Sequence, residues 1–488
     1  MSAPAPLRHQ LLPPLMVLIL LPLFFSLYVG VSADSNVPFN LNEEVIVNYF
    51  EKEHIVESAE EIANDIGPLS DFTDEELAVH HNYDNMTAYL KRLHAAYPDL
   101  TTLNSIGRSV ENRELWVLVI SKDPKEHVPG KPEFKYVANM HGNEVVSREV
   151  ILFLAELLLK NYGSNAYITK LVDTTRIHLM PSMNPDGYER AREGDEMMGP
   201  GRDNANGIDL NRNFPRRKGS SQIPEIETRR IMEWALSVPF VLSANLHGGT
   251  SIVNYPFDDS QFGKSKTGDH DVFVKLAYSY ARAHPSMWKK GLRCTEEFSD
   301  PPKGITNGAE WYEVSGGMQD WMYLYANCFE ITVETNCHKF PYAKDMPVFW
   351  KEHKYALLRY IELTHHTIHG FIFDEQTGLG IQNATISINS RGRILKSYKY
   401  GDYWRPVTPG SYEVTFDHMH YYPVTKVVNI TTESPSFELN VTLTPHSYTP
   451  RRPGDLADVN EPGLLSSAPK SRSNLMVALT SILFFYYL

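Results

Sequence analysis

The stretch KYVANMHGNEVVSREVILFLAELLLKNY, residues 135–162, decides how the chain is read. Its first six residues form a short apolar run ending at Met140, the pattern of a buried strand. His141-Gly142 follows at once, so polar side chains arrive directly at the strand end. Ser147 is expected to cap a helix running to Tyr162, with Glu149, Glu156 and Lys160 at i, i+7 and i+11 as its narrow polar stripe. Gly163 is the expected terminator. A buried strand that turns straight into a largely apolar helix is the unit of a sheet with helices on its faces.

Outward from this stretch the same alternation continues. RIHLMPSM, PFVLSANL and FEITVET are further strand-like runs, two of them leading into clusters of Asn, His, Gly or Asp. Residues 77–366 are therefore expected to form one α/β domain. The pattern changes near His366. HGFIFD, ATISIN, GSYEVTFD and SFELNVTLT are short alternating segments between Gly- and Pro-containing turns, so residues 367–445 read as a small all-β module. Residues 446–474, rich in Pro and charge, read as a stalk.

With 488 residues, 42% hydrophobic and 22% charged, the chain is neither collagen-like nor wholly disordered. Lys and Arg number 46 against 59 Asp and Glu, a net charge of -13, which argues against a nucleic-acid partner. The excess is local: Asp34 to Glu76 holds 13 acids and one base, Lys52, a net of -12. Such a run reads as an extension, a solvated arm or short helix rather than a site.

Both termini suggest the secretory pathway. Arg8 and His9 precede an apolar run from Met16 that closes on Val31-Ser32-Ala33, so residues 1–33 read as a signal peptide rather than a membrane anchor. Four sequons, at Asn85, Asn383, Asn429 and Asn440, fit glycosylation. Residues 475–488, LMVALTSILFFYYL, are short for a spanning helix. The small residues from Ser466 and the short polar spacer after Pro469 favour a glycolipid-anchor signal with Ser466 as anchor site, the alternative being a tail-inserted helix.

The chemistry gathers at strand ends. His141 and Glu144 stand three residues apart, and His247 lies 103 residues beyond Glu144, also at a strand end. Two histidines and a carboxylate are the ligand set of a catalytic zinc, with a fourth position left for water. An isolated H-x-x-E is more often a satisfied turn histidine, so the spacing alone leaves both readings open. Glu334 is a carboxylate in the otherwise apolar FEITVET run, where burial without a role is costly. It is the candidate general base. Arg212, in DLNRNFP, could fork onto a carboxylate or make an ordinary loop salt bridge.

Taken in order, HGNE, GR, DLNRNFP, LHGG, NYPFDD, NGxxWYxxxGGMQDW and FEITVE resemble the zinc metallocarboxypeptidases of the regulatory N/E subfamily, over roughly residues 80–445. The resemblance implies a catalytic domain with a mixed twisted sheet flanked by helices, then a transthyretin-like β-domain. It implies one Zn2+ held by His141, Glu144 and His247, with Asp209 orienting a ligand histidine. It makes Glu334 the base and Arg202 the oxyanion stabiliser. Asn211 and Arg212 would grip the substrate's terminal carboxylate, and Tyr312 would close over it. Asp258, with Gln319, would form a pocket for a terminal Arg or Lys.

The implied activity is release of one basic residue from extracellular peptides and proteins, by an enzyme on the outer face of the plasma membrane through a lipid anchor. A catalytically inactive peptide-binding protein on the same fold is the alternative; such a protein typically loses a ligand or the base, and this chain keeps all four. Ser147, where relatives usually have Gly, and Thr335-Asn336, in place of Leu-Ser, depart from the family pattern. By the same resemblance Cys294 and Cys328 are the expected disulfide, leaving Cys337 as the odd thiol.

Overall fold

Every side chain of Glu133–Ala138 is buried, and so is every side chain of Phe240–His247 and Phe329–Asn336. Strands of that kind need cover on both faces, which parallel neighbours and flanking helices provide. The computed structural model describes residues 42–446 except 196–198, 220–221, 290–293, 295–301 and 390. Its main sheet has eight strands: β1 (Thr101–Arg108), β2 (Glu114–Ile120), β3 (Glu133–Ala138), β4 (Arg176–Met180), β5 (Phe240–His247), β6 (Thr250–Tyr255), β7 (Ile305–Asn307) and β8 (Phe329–Asn336). They lie in the order β1-β2-β4-β3-β5-β8-β6-β7. The central β4-β3-β5-β8 run is parallel, whereas β1, β2 and β6 pair antiparallel with neighbours, so the sheet is mixed.

The helices in chain order are α1 (Glu43–Lys52), α2 (Ala59–Ile66), α3 (Asp74–Leu77), α4 (Tyr83–Ala96), α5 (Val145–Asn161), α6 (Ala166–Thr174), α7 (Pro185–Tyr188), α8 (Ile226–Ser237), α9 (His270–Ala283), α10 (Gly308–Trp311), α11 (Met318–Tyr325) and α12 (Met346–Glu362). Helix α5 begins two residues before the expected cap. Ser147 lies inside its first turn, where the hydroxyl donates to the Glu144 carbonyl at 2.7 Å and accepts from the Asn139 N–H at 3.1 Å. Gly163, with φ 79°, follows the helix as the sequence predicts.

The acidic extension is not a solvated arm over its described part. Ile46, Val47 and Phe50 of α1, Val56 after it, and Ile62 and Ile66 of α2 are buried in the same core as α5, α9 and α12. Its acids meet bases of the domain: Asp74 pairs with Lys351 at 2.6 Å, Glu51 with Lys303 at 3.1 Å, Asp71 with Lys354 and Glu57 with Arg359. Exposed pairs are worth about 0.2–1 kcal/mol each. Six buried apolar side chains at about 1.5–3 kcal/mol each outweigh them. Packing holds the extension, and the ion pairs add to it.

The β-domain begins at β9 (Thr367–Asp374) and continues through β10 (Thr385–Ile388), β11 (Leu395–Lys396), β12 (Asp402–Pro406), β13 (Gly410–Asp417), β14 (Val424–Ile430), β15 (Phe437–Glu438) and β16 (Val441–Leu443). One sheet runs β11-β10-β13-β14 and the other β12-β9-β15, with β16 also on β9. Ile368, Ile386, Val414, Phe416 and Leu443 fill the space between. The four sequon asparagines are all exposed.

The expected Cys294–Cys328 pairing is corrected. The disulfide joins Cys294 to Cys337, with Cα atoms 5.1 Å apart, and Cys328 is a free, buried thiol. Cys328 and Cys337 flank β8 at opposite ends, roughly 30 Å apart at about 3.3 Å per residue. Only the residue at the carboxyl edge reaches Cys294. At the other edge Cys328 packs in a second apolar cluster with Phe240 and Met322, its Sγ donating to Ser243 Oγ at 3.2 Å.

The signal segment 1–33, the residues after 446, the anchor site Ser466 and the apolar tail lie outside the described residues. Among the described residues no helix is long and apolar enough to cross a membrane.

Candidate active site

In an open α/β sheet, functional side chains collect beyond the carboxyl ends of the strands. Here β3 delivers His141 and Glu144, β5 ends on His247, and Glu334 of β8 stands directly opposite His247 in the parallel register. The turn after β3 is held from below. The Asn139 side chain, at a residue with φ 54°, donates to the carbonyls of His141, Gly142 and Glu144 at 3.0, 2.9 and 3.3 Å. Gly142 has no alternative, because a Cβ there would lie 2.2 Å from the Tyr188 nitrogen. The His247 carbonyl accepts from the Thr335 hydroxyl at 2.8 Å. Both departures from the family pattern, Ser147 and Thr335, thus tie down segments that carry the candidate ligands.

Three acceptors converge. His141 Nδ1 lies 3.1 Å from His247 Nδ1 and 2.9 Å from Glu144 Oε1, while His247 Nδ1 is 2.8 Å from Glu144 Oε2. Asp209 Oδ1 accepts from His141 Nε2 at 2.9 Å, which leaves the lone pair on Nδ1. His247 Nε2 is buried without a partner among the described residues. Lone pairs facing one another repel unless a cation lies between them. Ligands about 2.0–2.2 Å from a tetrahedral ion are roughly 3.3–3.6 Å apart, close to these spacings. The residues present therefore fit a zinc ion, and they are the one such group among the described residues.

Charges surround this cluster. Arg202 donates to Asp209 Oδ2 at 2.8 Å and lies 3.2 Å from His141 Nδ1. Burial opposes ionisation of Asp209, but His141 and Arg202 hold its carboxyl far below the usual range. Lys339, which sequence reasoning missed, reaches both Glu144 Oε1 and the Gly248 carbonyl. No motif around it marked that role. Burial pushes the Glu334 carboxyl up to about 7, with His247 pulling against the shift and Glu144 adding to it. Glu330, four residues earlier on β8, is instead neutralised by Lys135 at 2.7 Å and hydrogen-bonded by Asn245 at 3.0 Å.

The remaining candidates line the approach. Asp209 caps the 3-10 turn Leu210–Arg212 by accepting from the Asn211 N–H at 2.9 Å. Asn211 Oδ1 accepts from the Met318 N–H at 3.0 Å, and Arg212 is 32% exposed at the side chain. Tyr312 follows α10 and is 41% exposed. Asp258 is buried, with Oδ1 unpartnered among the described residues, and Gln319 lies beside it while donating to Asn254 Oδ1 at 2.6 Å. Gly308 faces Asp258 Oδ1, and a Cβ there would come within 1.5 Å of it. Burial, with Asp320 close by, pushes the Asp258 carboxyl well above its ordinary range. Asp320 accepts the N–H groups of Asp258 at 3.0 Å and Asp259 at 3.0 Å, a role that escaped the sequence reading although the residue lies within GGMQDW.

Known proteins match the chain over both domains. A family model described as zinc carboxypeptidase matches residues 86–356, and one described as carboxypeptidase regulatory-like domain matches residues 367–444. Carboxypeptidase D of Homo sapiens is 48% identical over 370 residues, 75% of this chain and 27% of that protein. Carboxypeptidase M of Mus musculus is 45% identical over 344 residues, 69% of this chain and 77% of that protein. The carboxypeptidase N catalytic chain of Mus musculus is 42% identical over 402 residues, 75% of this chain and 87% of that one. Against carboxypeptidase D the chain spans about a quarter of the relative's length. The first of the matched segments takes in more than half of the chain and all eight strands of the sheet that brings His141, Glu144 and His247 together, and so the protein belongs to the zinc carboxypeptidase family.

Proposed function

We propose that the protein is a zinc-dependent exopeptidase that releases a single Arg or Lys from the C-terminus of extracellular peptides and proteins. His141, Glu144 and His247 would hold the ion, which when bound supplies Lewis-acid polarisation of the scissile carbonyl and lowers the pKa of a water. Glu334 takes the proton of the attacking water and passes it to the leaving amine, a role suited to a buried carboxylate beside His247. Arg202, beside His141, stabilises the negative charge that develops on the carbonyl oxygen. Asn211 and Arg212 bind the terminal carboxylate, and Tyr312 closes over the substrate. That carboxylate requirement makes the reaction exopeptidic, since an internal residue offers no charge there.

The observation that carries the basic preference is the buried, unpartnered Oδ1 of Asp258. An enclosed carboxylate without a donor is costly, and an incoming guanidinium or ammonium supplies one. Release of Arg from a peptide ending in Arg, measured with and without a chelator and against the same peptide ending in Leu, tests the reading. No release, or release indifferent to chelation, overturns it.

The location we infer is the outer face of the plasma membrane, reached through a signal peptide and held by a glycolipid near Ser466. The apolar ends of the chain, four exposed sequons and the Cys294–Cys337 disulfide support it. Phosphatidylinositol-specific phospholipase should free the protein from cells; retention with residues 475–488 still attached would favour a tail helix.

A further inference from the structure

The segment 256–269 leaves β6, carries Asp258, and ends at Asp269, the N-cap of α9. Inside the domain Asp320 holds its start through the N–H groups of Asp258 and Asp259, and the Asn307 side chain holds Ser265. Two further ties come from outside the 86–356 segment. At the far end, Arg405 and Arg391 of the β-domain donate to Asp269 Oδ1 at 2.7 and 3.1 Å. In the middle, Lys264 Nζ bridges Glu43 Oε2 of α1 at 2.7 Å and Glu310 Oε2 of α10 at 2.8 Å. Tyr255, the last residue of β6, donates its hydroxyl to Glu43 as well.

We propose that Glu43 and Lys264 are positioning residues for the basic-residue pocket: helix α1 of the acidic extension, through this bridge, sets the position of the loop that carries Asp258. The inference rests on the reading of Asp258 given above. Three features support it. The bridge is partly enclosed, the side chains of Lys264 and Glu43 being 28% and 19% exposed. Glu43 and Glu310 are like charges that Lys264 bridges directly, with Lys266 also close enough to feel both, so losing Lys264 weakens the tie between α1 and α10. Helix α10 carries Gly308 against Asp258 and leads directly into Tyr312. A shift at Gly308 therefore moves one wall of the pocket without touching His141, Glu144, His247 or Glu334. Helix α1 itself is fixed by Ile46, Val47 and Phe50 in the core, so neutralising Glu43 leaves the helix docked.

The test uses the zinc-loaded full chain and two peptides that differ only in a terminal Arg or Leu. Glu43→Gln and Lys264→Gln should each raise KM for the Arg peptide by about two- to fivefold, as expected for a partly enclosed pair, with kcat unchanged. Zinc content and the Leu peptide should be unaffected. Lys264→Arg should behave as the parent, and Glu43→Gln combined with Lys264→Gln should be no worse than either alone. Kinetic constants unchanged in both variants, or an equal fall for both peptides, would overturn the inference while leaving the pocket reading intact. A parent protein with no preference for Arg over Leu would overturn the pocket reading, and the inference with it.

Discussion

The two ends of the central strands carry nearly the same residue types to opposite effect. At the carboxyl end stand His141, His247, Glu144, Glu334, Asp209 and Arg202. At the amino end stand His127, His178, Glu133, Asp402 and Arg176. There each contact to a carboxylate joins a donor to an acceptor. Glu133 accepts from His127 at 2.7 Å, from His178 at 2.7 Å and from Arg176 at 3.1 Å, while the other nitrogen of His127 donates to Asp402 at 2.7 Å. Burial works against each charge, yet the partners push His127 up to about 9 and Glu133 down to about 2. At the carboxyl end the acceptors face one another instead. A cluster of histidine and carboxylate is a fastening when its polarity alternates, and a metal site when its lone pairs converge.

The strongest attempt to break this contrast is to exchange the histidines' fates. His247→Ala should lose stoichiometric zinc and all measurable activity, whereas His178→Asn should keep both and lose only stability. Zinc analysis of the two purified variants decides it, and full zinc in His247→Ala would remove the ligand assignment. The second test stays on one strand. Glu334→Gln should keep zinc while kcat falls by about 10²–10⁴-fold. Glu330→Gln should hold kcat within about tenfold, well short of a lost base, but cost about 3–5 kcal/mol of stability, because Lys135 is then buried without its partner. The reverse pattern would make Glu330 the base.

Asp258→Ala sharpens the comparison on the substrate side. It should cut kcat/KM for Arg-ending peptides by about two orders of magnitude or more, as removal of one member of an enclosed charge pair does. Leu-ending peptides should change far less, and equal losses would make Asp258 a support for the loop. The smallest effect belongs to the amino end. The His127 pKa is raised on folding, so its contribution is complete below about pH 6.5, the unfolded value, and is lost as pH rises through about 9. The stability difference between the parent and His127→Gln should shrink across that window by about 1–3 kcal/mol, followed by denaturant midpoints. A difference independent of pH would mean that His127 is neutral in the folded protein.

The carboxyl end was legible because its residues sit in short local motifs at strand ends. His141 and Glu144 share one turn, and the register that sets Glu334 beside His247 follows once both strands end at the same edge. The amino-end cluster had no such signal. His127 and Glu133 stand six residues apart with no motif between them, and only the sheet order and the docked β-domain bring His178 and Asp402 to them. The docking of the acidic extension was not legible because thirteen acids masked a buried set, Ile46, Val47 and Phe50, spaced i, i+1 and i+4 on a helix. Its charge finds complements on α12, at Lys351, Lys354 and Arg359, which no local pattern announces. The cysteine pairing went wrong for a related reason. Sequence order does not say which end of β8 faces Cys294.

The free thiol left by that pairing has an experimental use. All three cysteines are accounted for: two are bonded, and Cys328 is fully buried, its thiol pushed up to about 11 by burial. The thiolate is the reactive form, so folded chains should ignore iodoacetamide or a maleimide dye at neutral pH. Labelling can then begin only when the start of β8 opens. The rate at which a dye enters therefore serves as an opening clock for the sheet under the metal ligands, read without engineering any probe into the protein.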